Sequence, residues 1–221
     1  MSLKPTIVPL GDSALLVQLG DEINLAVNQK VHTLASLVNA APLEGLIETV
    51  PSYSTLLVHY DPLAISDRQL REWLREKVEQ IGQAHVNNPR HLSVPVQYGG
   101  EYGVDLAAVA DFHQLSVEQV MKIHASRTYI VYMMGFTPGF PYMGKLDNAI
   151  ATPRLETPRT QVPAGTVAIA GSQTGIYPID SPGGWRLIGY TPLRLFDPDA
   201  ASPFLFSPGD EVRFVVDRHD T

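Results

Sequence analysis

Residues Gly135–Asp197 read GFTPGFPYMGKLDNAIATPRLETPRTQVPAGTVAIAGSQTGIYPIDSPGGWRLIGYTPLRLFD, a run crowded with Gly and Pro that still carries aromatic and arginine side chains at close intervals. Proline fixes φ and removes a backbone donor, while glycine permits φ > 0 and close backbone approach. The stretch therefore specifies many turns between short strands, not a linker or a helix. Its aromatics and arginines must project from a defined loop surface, which is the chemistry of a binding site or an interface.

Outward from this run the texture changes. Seven of the eighteen prolines precede residue 100 and eleven follow residue 135. On the C-terminal side, residues 129–134, 167–170, 184–190, 193–196 and 211–216 are short β-prone segments separated by turn clusters, the pattern of a barrel or sandwich. The N-terminal side alternates strands and helices. Residues 14–19 read as a strand, and residues 24–39 as a helix with Val27, Val31, Leu34 and Val38 on one stripe. Residues 47–50 and 55–60 read as paired strands. Ser66 and Gln69 form a capping box for a second helix that turns Leu70, Trp73, Leu74 and Ile81 inward, and residues 91–96 close the pattern as a strand. This order predicts a ferredoxin-like α+β domain over residues 1–98, with a boundary segment at residues 85–90 before its last strand. A β-barrel domain over residues 99–221 follows, led by two short helices, the second opened by Ser116 and Gln119.

Composition narrows the chemistry. The chain has 221 residues, 44% of them hydrophobic, a formal net charge of −7 and no cysteine. The acidic balance disfavours a nucleic-acid groove or an anionic membrane surface. Lack of cysteine excludes disulfides, thiolate nucleophiles and cysteine zinc sites. The one apolar burst near the N-terminus, residues 14–17, follows Asp12 without a basic leader, and no window approaches eighteen apolar residues. A cytoplasmic, soluble protein is expected.

Familiar catalytic motifs fail on inspection. Gly139–Lys145, GFPYMGK, matches a phosphate loop until Leu146 stands where a hydroxyl would hold magnesium, and Pro141 removes a phosphate-facing donor. A tight aromatic turn is expected there instead. Gly171–Gly175, GSQTG, has the spacing of a nucleophile elbow with Gln173 at its centre. The seven histidines form no metal-ligand pattern, so no metal site is expected of this chain alone.

The candidates that remain lie within the quoted run. Arg154, Arg159 and Arg186 offer guanidinium groups that either grip a carboxylate or phosphate or pair at the surface with Asp147, Glu156 or Asp180. Arg159 lies between Pro158 and Pro163, which hold its backbone rigidly. Phe136, Phe140, Tyr142, Tyr177 and Trp185 serve either core or site. Tyr142 and Tyr177 each stand beside a proline, where a phenol presents its hydroxyl outward. Gln173, Thr174 and Ser181 supply neutral hydrogen bonds to a substrate or to a turn. Asp180 is the available acid or base, with a turn-capping role as its alternative.

Taken together, GFTPGFPYMGKLD and the run from Ala151 to Pro198 resemble the signature of the allophanate hydrolase subunit 1, or KipI-like, family, over a core of residues 128–216. The resemblance implies a cyclophilin-like C-terminal barrel. It also implies membership of a 5-oxoprolinase complex with subunits C and A, which opens 5-oxoproline to L-glutamate using ATP and magnesium. On that reading this chain holds no cofactor by itself and is inactive alone. It supplies one wall of a shared site, with Arg159 or Arg154 meeting a carboxylate or phosphate, and Tyr142, Gln173, Tyr177 and Ser181 lining the pocket. The same resemblance leaves two alternatives open: an inhibitor of a sporulation histidine kinase, and a component of an allophanate- or urea-processing enzyme.

Overall fold

The computed structural model describes residues 4–83 and 89–217. The chain divides into two compact units between Asn88 and Pro89. Most of the boundary segment read at residues 85–90 lies outside the described residues.

The first unit is a four-stranded antiparallel sheet with two helices. Its strands are β1 (Thr6–Pro9), β2 (Ala14–Gln18), β3 (Leu46–Pro51) and β4 (Thr55–Tyr60), in the order β1-β2-β4-β3. α1 (Leu25–Ala40) starts at Asn24, whose side chain accepts the amides of Ala26 and Val27. α2 (Asp67–Gln80) carries the expected capping box between Ser66 and Gln69. Alternation on β4 turns Leu56, Val58 and Tyr60 inward to meet Leu15 and Val17 of β2, Val31, Leu34 and Val38 of α1, and Leu70 and Leu74 of α2. Each such aliphatic side chain removed from water contributes about 1.5–3 kcal/mol.

One expectation for this unit is corrected. The strand assigned to close a ferredoxin-like sheet is β5 (His91–Tyr98), and it belongs to the second unit, where Val94 and Val96 enter the barrel core. The position beside β2 is filled by Thr6–Pro9. That strand reaches it through a tight hairpin, with Leu10 N–H donating to Ala14 O at 2.9 Å. Local closure of this kind loses less chain entropy than recruiting a strand from beyond α2.

The second unit is built on a closed barrel of seven strands: β5, β6 (Thr128–Met134), β7 (Pro141–Gly144), β9 (Thr166–Ala170), β10 (Gln173–Ile176), β12 (Arg186–Tyr190) and β13 (Glu211–Val216). Their order around the barrel is β10-β7-β6-β13-β5-β12-β9. β8 (Arg159–Val162) and β11 (Ser181–Gly183) form a separate antiparallel ribbon. β5 and β13 are parallel, which their distance in sequence allows. α3 (Leu106–Phe112) and α4 (Val117–Ala125), the latter with the expected capping box from Ser116 and Gln119, add Leu106, Val109 and Val120 to the barrel core. Two local readings change. Residues 141–144, expected as an aromatic turn, are strand β7, and the turn lies just before them, closed by Gly135 N–H to Phe140 O at 3.1 Å. Residues 193–196, expected as a strand, form only an isolated bridge from Phe196 to Phe204; Asp197 N–H donates to Pro203 O at 2.8 Å, but Pro203 has no N–H to return and carry the ladder on. Among the described residues no helix is long and apolar enough to cross a membrane.

A polar chain runs through the barrel interior among the described residues. His124 of α4 is fully buried. Thr174 Oγ1 donates to Ala168 O at 3.1 Å and so accepts from His124 Nε2–H at 2.9 Å. His124 Nδ1 is then the acceptor for Tyr98 Oη–H at 2.6 Å. Every member is satisfied, which is what a low-dielectric interior requires. Burial pushes the His124 pKa down to about 3 and raises that of Tyr98 well above its ordinary value. Folded chain thus takes up this proton only near pH 3, whereas unfolded chain takes it up below about 6.5. Stability from this group is complete above pH 6.5 and is lost as pH falls toward 3, by at most about 1.4 kcal/mol per pH unit. Denaturant titrations between roughly pH 6.5 and 5, where ordinary carboxylates stay charged, will show the unaltered chain losing stability on acidification and His124→Gln losing measurably less.

Candidate active site: an aromatic cleft on the outer face of the barrel

Period-two alternation gives the strands β7, β9 and β10 two different faces. Met143, Val167, Ile169 and Ile176 belong to the barrel core, while Tyr142, Ala168 and Ala170 belong to a second cluster with Phe140, Val162, Tyr177, Trp185 and Leu187. Small residues on this outer face make room for rings. A Cβ at Gly175 would lie 2.9 Å from both Phe140 Cζ and Pro141 O, so only glycine lets the Phe140 ring rest there. Around Phe140 the ring centroids of Tyr142, Tyr177 and Trp185 stand at 4.9, 5.2 and 5.5 Å, tilted or edge-on as aromatic quadrupoles prefer.

These rings floor a cleft of about 420 Å³, lined among others by Phe136, Tyr142, Arg154, Gln173, Tyr177 and Trp185. Tyr177 is held hard. It is 1% exposed, the Trp185 backbone amide donates to its hydroxyl oxygen, and a Cβ at Gly183 would stand 2.2 Å from that oxygen. Burial raises the Tyr177 pKa, and the Trp185 amide with the charges of Arg154 and Arg159 opposes the rise. Burial also raises that of Tyr142, against the nearby Arg154. Both phenols are therefore protonated near neutral pH and present neutral hydroxyls.

Arg154 is the cation of the cleft. Its guanidinium lies beside Gly184, where a Cβ would come within 3.4 Å of Nη2. The backbone on either side is anchored: Arg186 Nε donates to Pro153 O at 3.1 Å, and Leu155 N–H donates to Gly184 O at 2.7 Å. Among the described residues no carboxylate pairs with Arg154. Of the acids suggested as surface partners, Asp147 is engaged by Arg127, and Asp180 by the Ala164 amide at 2.8 Å and Gln161 at 3.2 Å. Asp180 is accordingly a turn cap.

Arg159 is placed differently from Arg154. Its Nη2 meets Asp105 Oδ1 at 2.8 Å, and it is not among the residues lining the cleft. Asp105 is buried, and its other oxygen accepts the Leu187 amide at 2.7 Å. The pair ties the turn before α3 to β8 and β12, so Nη2 of Arg159 serves the fold, while its buried Nη1 has no hydrogen-bond partner among the described residues. Ser181 is also buried on β11, paired with Val162 of β8. Its hydroxyl finds no partner among the described residues, and the next residue, Pro182, reaches the cleft wall. Thr174 faces the barrel interior.

The structure thus brings together Tyr142, Arg154, Gln173 and Tyr177 and leaves Arg159 outside. It adds Trp185 and Phe136, which residue type alone leaves between core and site. Phe136 carries a signal in its G-F-T-P-G setting: its φ is +66°, rare for an aromatic residue, and its ring is exposed at the cleft edge. Among the described residues no three His, Asp or Glu side chains come together as a metal site. The arrangement offers one cation, two phenol hydroxyls, one carboxamide and flat apolar walls.

Residues 5–206 match the family model described as carboxyltransferase domain, subdomain C and D. The B subunit of 5-oxoprolinase from Bacillus subtilis is 44% identical, covering 97% of this chain and 94% of its own length. That of Haemophilus influenzae is 42% identical over 96% and 97% of the two chains. The crystal structure of TTHA0988 is similar with a TM-score of 0.82 and 39% identity over 94% of this chain, which spans 40% of that longer protein. The chain therefore belongs to the carboxyltransferase domain, subdomain C and D family, which it shares with these 5-oxoprolinase B subunits.

Proposed function

We propose that this chain is a subunit of an ATP-dependent 5-oxoprolinase, that it works with subunits C and A, and that its aromatic cleft holds 5-oxoproline. The observation that carries this reading is Arg154, a cation without a carboxylate partner among the described residues, anchored on both sides and set between neutral donors and aromatic walls. A small flat ring bearing one carboxylate matches that set. Arg154 takes the carboxylate, and Tyr142 and Trp185 pack on the ring. The Tyr177 hydroxyl, whose oxygen already accepts an amide, donates to the lactam oxygen, and Gln173 meets the lactam N–H.

A lactam resists attack by water because amide resonance deactivates its carbonyl carbon. Phosphoryl transfer from ATP to the lactam oxygen makes that carbon a better electrophile. Attack by water, cleavage of the C–N bond and loss of phosphate then give L-glutamate, ADP and phosphate. One guanidinium is too little charge to hold a triphosphate, and neither His, Asp nor Glu is among the cleft's lining residues. ATP, magnesium and the acid–base groups are therefore assigned to the partner subunits, with this chain inactive alone and orienting the substrate. Dependence on ATP suits a complex that works in the cytoplasm.

ATP hydrolysis dependent on 5-oxoproline is to be measured for the chain alone, for its mixture with the two partner subunits, and for the partners without it. Activity confined to the complete mixture is expected; full activity without this chain overturns the proposal. In the complete mixture, Arg154→Gln should raise KM for 5-oxoproline about ten- to a hundredfold, the loss of a charged hydrogen bond. Arg159→Gln should act mainly on folding, lowering stability in denaturant by about 1–2 kcal/mol because Asp105 loses its charged partner. A larger KM change for Arg159→Gln than for Arg154→Gln would reverse these two assignments.

A further inference from the structure

The cleft lies across a narrow joint of the barrel. β10 and β7 share one register pair, Thr174 with Met143, whereas β10 and β9 share four and β5 and β13 share six. Gln173 of β10 and Tyr142 of β7 take their separation from that joint, which is extended beyond the strand ends by one more backbone bond, Leu146 N–H to Ser172 O at 2.8 Å.

A second fastening sits on the inner face. Thr174 Oγ1 receives His124 Nε2–H at 2.9 Å, and His124 is held on its other nitrogen by Tyr98 of β5 at 2.6 Å. The His124 ring lies 4.5 Å from that of Phe214 on β13, and its carbonyl accepts Tyr129 Oη–H at 2.9 Å. One hydroxyl of β10 is thereby tied to α4 and to the firmly paired β5 and β13. Because successive residues alternate across the strand, Thr174 points inward while Gln173 lines the cleft and Gly175 lies under the Phe140 ring on the same short segment. Any outward shift of Thr174 carries Gln173 with it.

We propose that His124 is a positioning residue: through Thr174 it holds β10 against β7 and so sets the spacing of Gln173 and Tyr142 in the cleft. For substrate binding this rests on the cleft being the 5-oxoproline site; the mechanical part does not.

Full-length chain carrying Thr174→Val, nearly isosteric but without the hydroxyl, is compared with Thr174→Ser, which keeps it. Backbone hydrogen exchange is followed for each chain, and KM and kcat for 5-oxoproline are measured in the complete mixture. Thr174→Val removes both the bond from His124 and that to Ala168 O and should speed exchange at residues 173–176 at least about tenfold, while β5 and β13 keep their protection; the part due to His124 is read from Tyr98→Phe, which leaves the bond to Ala168 O in place. KM should rise by a similar factor with kcat little changed. Thr174→Ser should restore both, and Tyr98→Phe, which frees the far side of His124, should repeat the pattern more weakly. Unaltered exchange in β10 with Thr174→Val overturns the assignment, as does equal acceleration in every strand, the mark of a general loss of stability. If the unaltered mixture fails to turn over 5-oxoproline, the substrate reading falls by itself, and the exchange pattern alone upholds or overturns the role of His124.

Discussion

Barrel closure between β10 and β7 is the constraint on which the rest of this unit depends. Closing a sheet removes its exposed edges, but here the last joint has only one register pair, Thr174 with Met143. Met143 and Ile176 on the inside contribute burial to the closure, and the chain from Tyr98 through His124 to Thr174 contributes directed hydrogen bonds. The outer face of the same joint carries Tyr142, Gln173 and Gly175. Whatever stabilises the inside therefore also shapes the cleft.

The glycine and proline of the long irregular run act through space as much as through turns. Gly175 admits the Phe140 ring to the sheet surface, and Gly183 admits the Tyr177 hydroxyl to the β11 backbone. An aromatic cluster assembled on such close approaches is rigid, because neither ring has an alternative position at van der Waals distance. Rigidity suits recognition of a small flat ligand, since little side-chain entropy remains to be lost on binding.

Two arginines five residues apart illustrate how charge pairing divides structure from site. Arg159 meets a buried carboxylate that also accepts a strand amide, so its charge is neutralised within the fold. Arg154 has its backbone anchored at both neighbours while its guanidinium stays without a carboxylate partner among the described residues. Arg154 is exposed, so water solvates its charge in the free chain, and a carboxylate ligand can take the place of that water.

Much of this is legible in the sequence. Both capping boxes, the amphipathic stripe of α1, the shift from alternating helices and strands to short strands, and the aromatic and arginine-rich run are local patterns. Local patterns are set by backbone sterics and periodicity, and so Arg154, Arg159, Tyr142, Gln173, Tyr177 and Ser181 emerge alike as candidates from residue type and placement, with nothing local to separate those at the cleft from the others. What the tertiary structure decided were pairings between distant segments. Residues 91–98 have the alternation of a strand in either unit, and only the partnership with β13 puts them in the barrel. Asp105 has no local feature marking it as the counter-ion of Arg159, fifty-four residues away. His124 resembles any helical histidine until Tyr98 and Thr174 close around it. Sequence determines what each segment can become, because propensity and amphipathicity are short-range. Which charges are neutralised and which remain for a ligand depends on long-range contacts that no single segment encodes.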